Sequence, residues 1–279
     1  MDYHADRFRD ASLLVRDDDR LLALLPANRE GETLWSHQGL TFGGVIAHTE
    51  LTVRRALGVF DAIIARARND GIARLVYKAV PHVYQRIPSD EDLYALFRHD
   101  ARLIRRDLSA AIRLDERLPY RKGRRAALKR AKSSDLRVAP SRDFEAFMAL
   151  EEQTLARHGA IPTHTGAELA LLAGRYPDRI RLHVALARNE QALAGVVTYE
   201  TPVVAHVQYI GATDEGRSRG AVDLLLDHAI DDAARARRRW FEFGISTTEG
   251  GRSLNEGLAR NKESYGARAV VFDWYEVEL

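Results

Sequence analysis

The sequence predicts an α/β (α+β) protein of two domains, and three observations carry that expectation. Its 279 residues can bury a sizeable core and exceed the usual single domain. Runs rich in β-branched and aromatic residues alternate with stretches of helical period. A basic segment at 120–132 then divides a first series of strands and helices from a second that starts afresh, so the expected domains are 1–118 and 119–279.

Composition narrows the class. A net charge of +2, 46% hydrophobic and 29% charged residues suit a soluble globular chain and give no global pull towards nucleic acid. With no cysteine there is no disulfide framework, thiolate nucleophile or Cys-type zinc site. No apolar run approaches the roughly 20 residues of a membrane helix. The start, MDYHADRFRD, lacks the apolar core of a signal peptide, so a cytoplasmic protein is expected.

In chain order, residues 13–15 and 21–25 predict a hairpin closed by Asp17-Asp18-Asp19. Residues 34–45 mix strand formers with His37, Gly39, Gly43 and Gly44, and read either as a cleft wall or as a bulged strand. Apolar residues at 51, 53, 56, 57, 60, 63, 64 and 67 predict a long helix stopping at Asn69-Asp70-Gly71. A strand over 74–80 is broken by Pro81, with His82 and Tyr84 following its end. Ser89-Asp90-Glu91 starts a helix expected to reach about Arg105, and the alternation Leu108, Ala110, Ile112, Leu114 predicts another strand.

The stretch Tyr120 to Lys132 carries seven cations and no acid. It reads as a helix whose charge is either solvated or turned to a phosphate. Then Asp143 caps a helix ending at Arg157-His158-Gly159, Thr165-Gly166 starts another, and 182–187 with 192–199 form a hairpin. Residues 203–210 make a central strand, in which His206 and Gln208 share a face. A helix follows from Val222. Its start, Glu215-Gly216-Arg217-Ser218-Arg219-Gly220-Ala221, places two arginines beside unpaired N–H groups and the positive end of the helix dipole. That is either an anion seat or a plain helix start.

Arg217 and Gly220 resemble the Arg/Gln-x-x-Gly-x-Gly/Ala pattern by which GNAT-superfamily acyltransferases hold the pyrophosphate of acyl-CoA; Val222 stands at its small-residue position. Three segments in order resemble the Fem-like group, which carries two tandem GNAT folds. They are Arg124 to Lys132 with Leu136-Arg137-Val138; Asp143-Phe144 through Thr154 to Gly159; and Tyr209 through Gly220, with Phe243-Gly244-Ile245-Ser246 and Asn261-Lys262-Glu263-Ser264-Tyr265-Gly266. The resemblance implies two tandem GNAT-like domains and acyl transfer to an amine, without a metal. Acyl-CoA such as acetyl-CoA is the expected co-substrate, not tightly bound. Fem-type members use aminoacyl-tRNA, and their tRNA-binding helical arm has no counterpart here. The expected acceptor is an amino sugar or a lipid- or nucleotide-linked amine of a surface polysaccharide or peptidoglycan precursor. The alternative is a non-catalytic module that binds a phosphorylated or nucleotide-linked partner through the basic helix.

Amide formation needs a base for the amine and an acid for the leaving group. The glycine-rich loop after the strand at 238–243 offers Glu249 as the base, with Ser246 and Thr247 as acceptor contacts; it also reads as a simple turn. Tyr265 reads as the phenol or as a core aromatic. Arg217, Ser218, Arg219 and Gly220 are the expected donor site. Lys78, His82, Tyr84, Gln208, Asn255 and Lys262 are expected substrate contacts. No His/Asp/Glu cluster shows metal-ligand spacing in sequence, and no Gly-x-Ser-x-Gly elbow or Walker loop occurs.

Overall fold

The computed structural model describes residues 3, 6–156, 159 and 161–279. Arg157 and His158 of the expected helix end lie outside the described residues. In chain order the elements are β1 (Leu13–Asp17), β2 (Arg20–Leu25), β3 (Asn28–Glu30), β4 (Thr33–Trp35), β5 (Ile46–Ala47), α1 (Val53–Asn69), β6 (Arg74–Lys78), α2 (Glu91–Arg98) and β7 (Arg102–Arg113). After them come α3 (Lys122–Lys132), β8 (Arg137–Ser141), α4 (Phe144–Ala156), α5 (Gly166–Arg175), β9 (Ile180–Leu186), β10 (Ala192–Glu200), β11 (Val204–Ala212), α6 (Asp214–Ser218) and α7 (Ala221–Arg235). The chain closes with β12 (Trp240–Ile245), β13 (Thr247–Thr248), β14 (Ser253–Leu254), α8 (Glu256–Ser264) and β15 (Arg268–Glu278). The mixed α/β class expected from the sequence is what the chain adopts.

Two compact units result. The first is Met1–Leu108 with Thr247–Leu254 and Val270–Leu279; the second is Ser109–Ser246 with Asn255–Ala269. Neither unit is one continuous stretch.

In the first unit β4 runs parallel to β6, and the end of β15 runs antiparallel to it, Glu276 opposite Val76. Helix α1 starts at Thr52, whose side chain accepts the Arg55 N–H, and lays Val59, Phe60, Ile63 and Ile64 into the core with Leu75 and Tyr77. The hairpin β1–β2 forms as expected. Two expectations change. Helix α2 stops at Arg98, since Asp100 takes a positive φ of 53° and Ala101 N–H bonds back to Leu96 O. Strand β7 then begins at Arg102. Its outward charges gain acidic partners on β15, Arg102 with Glu276 at 2.6 Å and Arg106 with Asp273 at 2.7 Å, which the local sequence cannot show. Beyond β4, residues 36–44 form neither a regular strand nor a bulged one. Buried Ser36 accepts the Lys78 N–H on its hydroxyl, and Gly43 N–H donates to Lys78 O.

In the second unit β8, β9, β10 and β11 are successive antiparallel neighbours. Strand β12 lies parallel to β11 and antiparallel to the end of β7, Phe241 opposite Ile112. One apolar cluster joins α7 to Val196, Val207 and Phe241; another joins α4 and α5 to Leu182, Val197 and Tyr209. Gly195 and Gly211 are cross-strand partners lying under α4, against Phe147 and Glu151. A side chain at either would push the helix off the sheet.

Candidate active site

The two central strands of the second unit pair over only three positions, Val204 with Trp240, Ala205 with Phe241 and His206 with Glu242. Beyond His206 the ladder to β12 ends, while β11 continues along β10 to Ala212. Both strands are bulged at this point: the β10–β11 register shifts at Gln208, and the β7–β12 register shifts after Glu242. Bulges re-aim side chains and end pairing, and they concentrate beside functional sites. The result is a fork whose crotch carries His206 and Glu242.

Glu242 is fully buried, and its carboxylate has several donors. His206 Nδ1 and Ser109 Oγ each bond an oxygen, and Gly244 N–H donates at 2.7 Å. Burial pushes the carboxyl up, but His206, Ser109 and the Gly244 amide outweigh it and hold the pKa below the usual value. An ionised Glu242 keeps the imidazole proton on Nδ1, leaving the lone pair on Nε2. Gly244, at φ 78°, turns its amide towards Glu242, a backbone state that favours glycine.

Lys262 of α8 completes the crotch. Its ammonium donates to Gly244 O at 2.6 Å and Ile245 O at 2.7 Å. Burial lowers its pKa to about 8, with Glu242 acting in the opposite direction. Asn255 and Ser246 sit beside it: Asn255 N–H donates to Ser246 O at 2.8 Å, and the Asn255 side chain caps α8 by accepting the Leu258 N–H. The Ser246 hydroxyl is buried without a hydrogen-bond partner among the described residues. Thus Ser246, Asn255 and Lys262, expected as substrate contacts, gather at the end of β12. Gln208 is the bulged residue of β11 at the fork.

The remaining expected residues fall elsewhere. Arg217 pairs with Asp214 at 3.2 Å, Ser218 Oγ donates to Glu215 O, and Arg219 pairs with Glu215 and Asp135. The arginines before α7 are therefore already balanced by carboxylates. Gly220 caps α7 in the left-handed conformation at φ 75°. Tyr265 is buried, donates to Asp223 at 2.8 Å and lies under the Arg124 guanidinium, and burial raises its pKa. That environment keeps the phenol protonated.

Lys78, His82, Tyr84, Thr247 and Glu249 belong to the first unit. Lys78 is buried against Trp274 and donates to Gln38 O and Leu40 O. Tyr84 stacks on Phe42 with centroids 4.4 Å apart, and His82 is exposed. His37 is buried and accepts the Gly39 N–H. Thr247 donates to Asp107 at 2.9 Å. Glu249 is exposed on a turn and accepts the Ser253 hydroxyl at 2.6 Å.

Three residues of the second unit escaped the sequence reading. Glu242 and Ser109 sit in strands where they pass as single polar interruptions, and only the β7–β12 register joins them. Glu151 lies on the inner face of α4 with one carboxylate oxygen buried and unpartnered among the described residues, and burial pushes its pKa up to about 7. The break in the apolar stripe of α4 was its only signal.

Residues 117–250 match the family model of the acetyltransferase (GNAT) domain. Across the chain the fold is similar to FemX at a TM-score of 0.72 and 10% identity, covering 99% of this chain and 89% of FemX. It is also similar to L-PGS from Bacillus licheniformis, with a TM-score of 0.65, 13% identity and coverage of 92% and 81%. A tandem GNAT protein from the clavulanic acid biosynthesis pathway gives 0.53, 13%, 99% and 86%. The Fem-like resemblance therefore holds at the level of fold. A comparison with curated proteins found no match.

Proposed function

We propose that the second unit transfers an acyl group to an amine at the β11–β12 fork. The observation that supports this reading is the end of the β11–β12 ladder at His206 and Glu242. A parted strand edge supplies backbone donors for an extended ligand and for a developing oxyanion. His206 Nε2 takes the proton from the attacking amine, Glu242 stabilises the imidazolium, and Ser109 with Gly244 holds Glu242 in place. The amine nitrogen forms the C–N bond, the bond from the carbonyl carbon to the donor's leaving atom breaks, and that atom takes a proton. Lys262 stiffens the end of β12 through its two carbonyl contacts. The general-base role expected of Glu249 passes, in this reading, to the His206–Glu242 pair.

The donor we favour is an acyl thioester such as acetyl-CoA, with its phosphates at Arg217 to Gly220, and the acceptor is an amino sugar or another amine-bearing envelope precursor. Exchange of the exposed Arg217–Asp214 pair for a phosphate contact is inexpensive, because such pairs contribute little. A second reading rests on α3. Lys122, Arg125 and Lys129 are exposed at helical spacing on one face and make no ion pair among the described residues. That face suits a phosphorylated or nucleotide-linked partner, including an aminoacyl-tRNA donor or a non-catalytic ligand. Calorimetric titration with CoA and acetyl-CoA separates the readings. Saturable binding of both, with CoA release when amines are added, supports the first; binding of neither overturns it.

A further inference from the structure

Two strands over from β11, a different chemistry gathers on β9 and α7. His228 and Asp232 are four residues apart on α7 and so project from one side of the helix. His183 reaches the same place from β9. The donor atoms of the three side chains all lie within 4.8 Å of one another. We propose that His183, His228 and Asp232 form a binding site for one divalent metal ion of the zinc class.

The geometry converges on a single oxygen. His228 Nε2 lies 3.2 Å and His183 Nε2 3.7 Å from Asp232 Oδ2. Ligand atoms about 2.0–2.1 Å from a tetrahedral zinc are ~3.3 Å apart, so a small rotation of each ring admits the ion. The other oxygen, Oδ1, is taken by the Arg235 guanidinium on the same helix. Arg235 thus fixes the carboxylate and leaves Oδ2 to face the two imidazoles, the orienting role that outer partners serve at metal sites. The rings meet edge-on at 5.1 Å and 65°, and both elements that carry them are regular. Two imidazole nitrogens and one carboxylate oxygen select zinc, nickel, cobalt or copper over magnesium or calcium, which prefer oxygen. Solvent completes the coordination. An ion here clamps β9 to α7 within the second unit, and this assignment is independent of the acyl-transfer reading.

The test uses full-length, tag-free protein stripped with a chelator. Cobalt(II) is titrated while the visible d–d bands are followed, and zinc(II) then competes. One equivalent is expected to bind and to raise the melting temperature, since a ligand of the folded state stabilises it. His228→Ala and Asp232→Asn, both on a partly exposed helix face, are each expected to weaken binding by at least about tenfold. His48→Ala, an exposed histidine of the first unit, is expected to bind as the parent does. Absence of saturable binding overturns the site, as does binding left unchanged by His228→Ala and Asp232→Asn. Should either variant lose its native circular dichroism, His183→Gln supplies the same comparison.

Discussion

Two buried lysines show how similar contacts serve different ends. Lys78 in the first unit and Lys262 in the second are 3% and 5% exposed, each donates to two backbone carbonyls, and burial lowers the pKa of each to about 8. They differ in company. Lys78 lies on the face of Trp274, shares that ring with Arg105, and has its pKa lowered further by that guanidinium. Lys262 borders Glu242, whose charge acts the other way. The first arrangement pins a loop over residues 38–40 with cations and an aromatic ring. The second joins a cation, a carboxylate and an imidazole at the end of a broken ladder. A lowered lysine pKa alone therefore marks burial; the mixed-charge neighbourhood is what marks chemistry.

The largest effect that tests this contrast is at His206. His206→Ala is expected to cut acyl transfer by about 10²–10⁴-fold while CoA still binds, because only the proton acceptor is lost. Glu242→Gln is expected to cut turnover by a smaller factor, since the imidazole remains but loses its ionic partner. Unchanged turnover in His206→Ala would remove the fork from the mechanism.

The lysines themselves come next. Each ammonium is disfavoured in the folded state, so the unfolded chain binds more protons between pH about 8 and 10.5, and stability contributed by each group rises with pH through that window. Lys78→Met and Lys262→Met should both flatten the rise in urea midpoint between pH 7.5 and 9.5. Only Lys262→Met should also move the pH–rate profile, through Glu242. A shift of that profile in Lys78→Met would erase the distinction.

Glu151 offers a test on stability. Its folded pKa is raised by burial to about 7, so the folded chain holds a proton that the unfolded chain has lost above pH about 4.5. The stability linked to it therefore falls as pH rises from 4.5 through 7. Glu151→Gln removes the charge and should gain on the parent by on the order of 1–3 kcal/mol between pH 5 and pH 8. Equal differences at both pH values would mean that the carboxyl is solvated.

Much of the fold was legible because it depends on local periodicity and punctuation. The α1 stripe with Thr52 before it, the Thr165 cap of α5 and the β9–β10 hairpin each follow from neighbouring residues. What could not be read required long-range pairing. Arg102 to Arg106 became strand because acids on β15 face them, and Glu242 meets Ser109 and His206 from other strands. Lys262 stands in a segment that carried the resemblance, whereas the arginines of the separate stretch before α7, Arg217 and Arg219, are paired locally.

Those paired arginines and the exposed Glu249 give the smallest expected effects. In the parent, Arg217 must leave Asp214 to meet a phosphate, and the exchange of one exposed pair for another gains little. Arg217→Ala is therefore expected to weaken CoA binding only a few-fold, and added salt should weaken the parent more steeply than the variant, since one screened contact is already gone. Glu249→Gln keeps a side chain that can accept the Ser253 hydroxyl, and the turn survives. It should leave turnover within about twofold if His206 is the base, a difference of less than 1 kcal/mol in the barrier. A loss of a hundredfold or more in Glu249→Gln would instead return the proton transfer to the glycine-rich turn and reduce His206 and Glu242 to a structural pair.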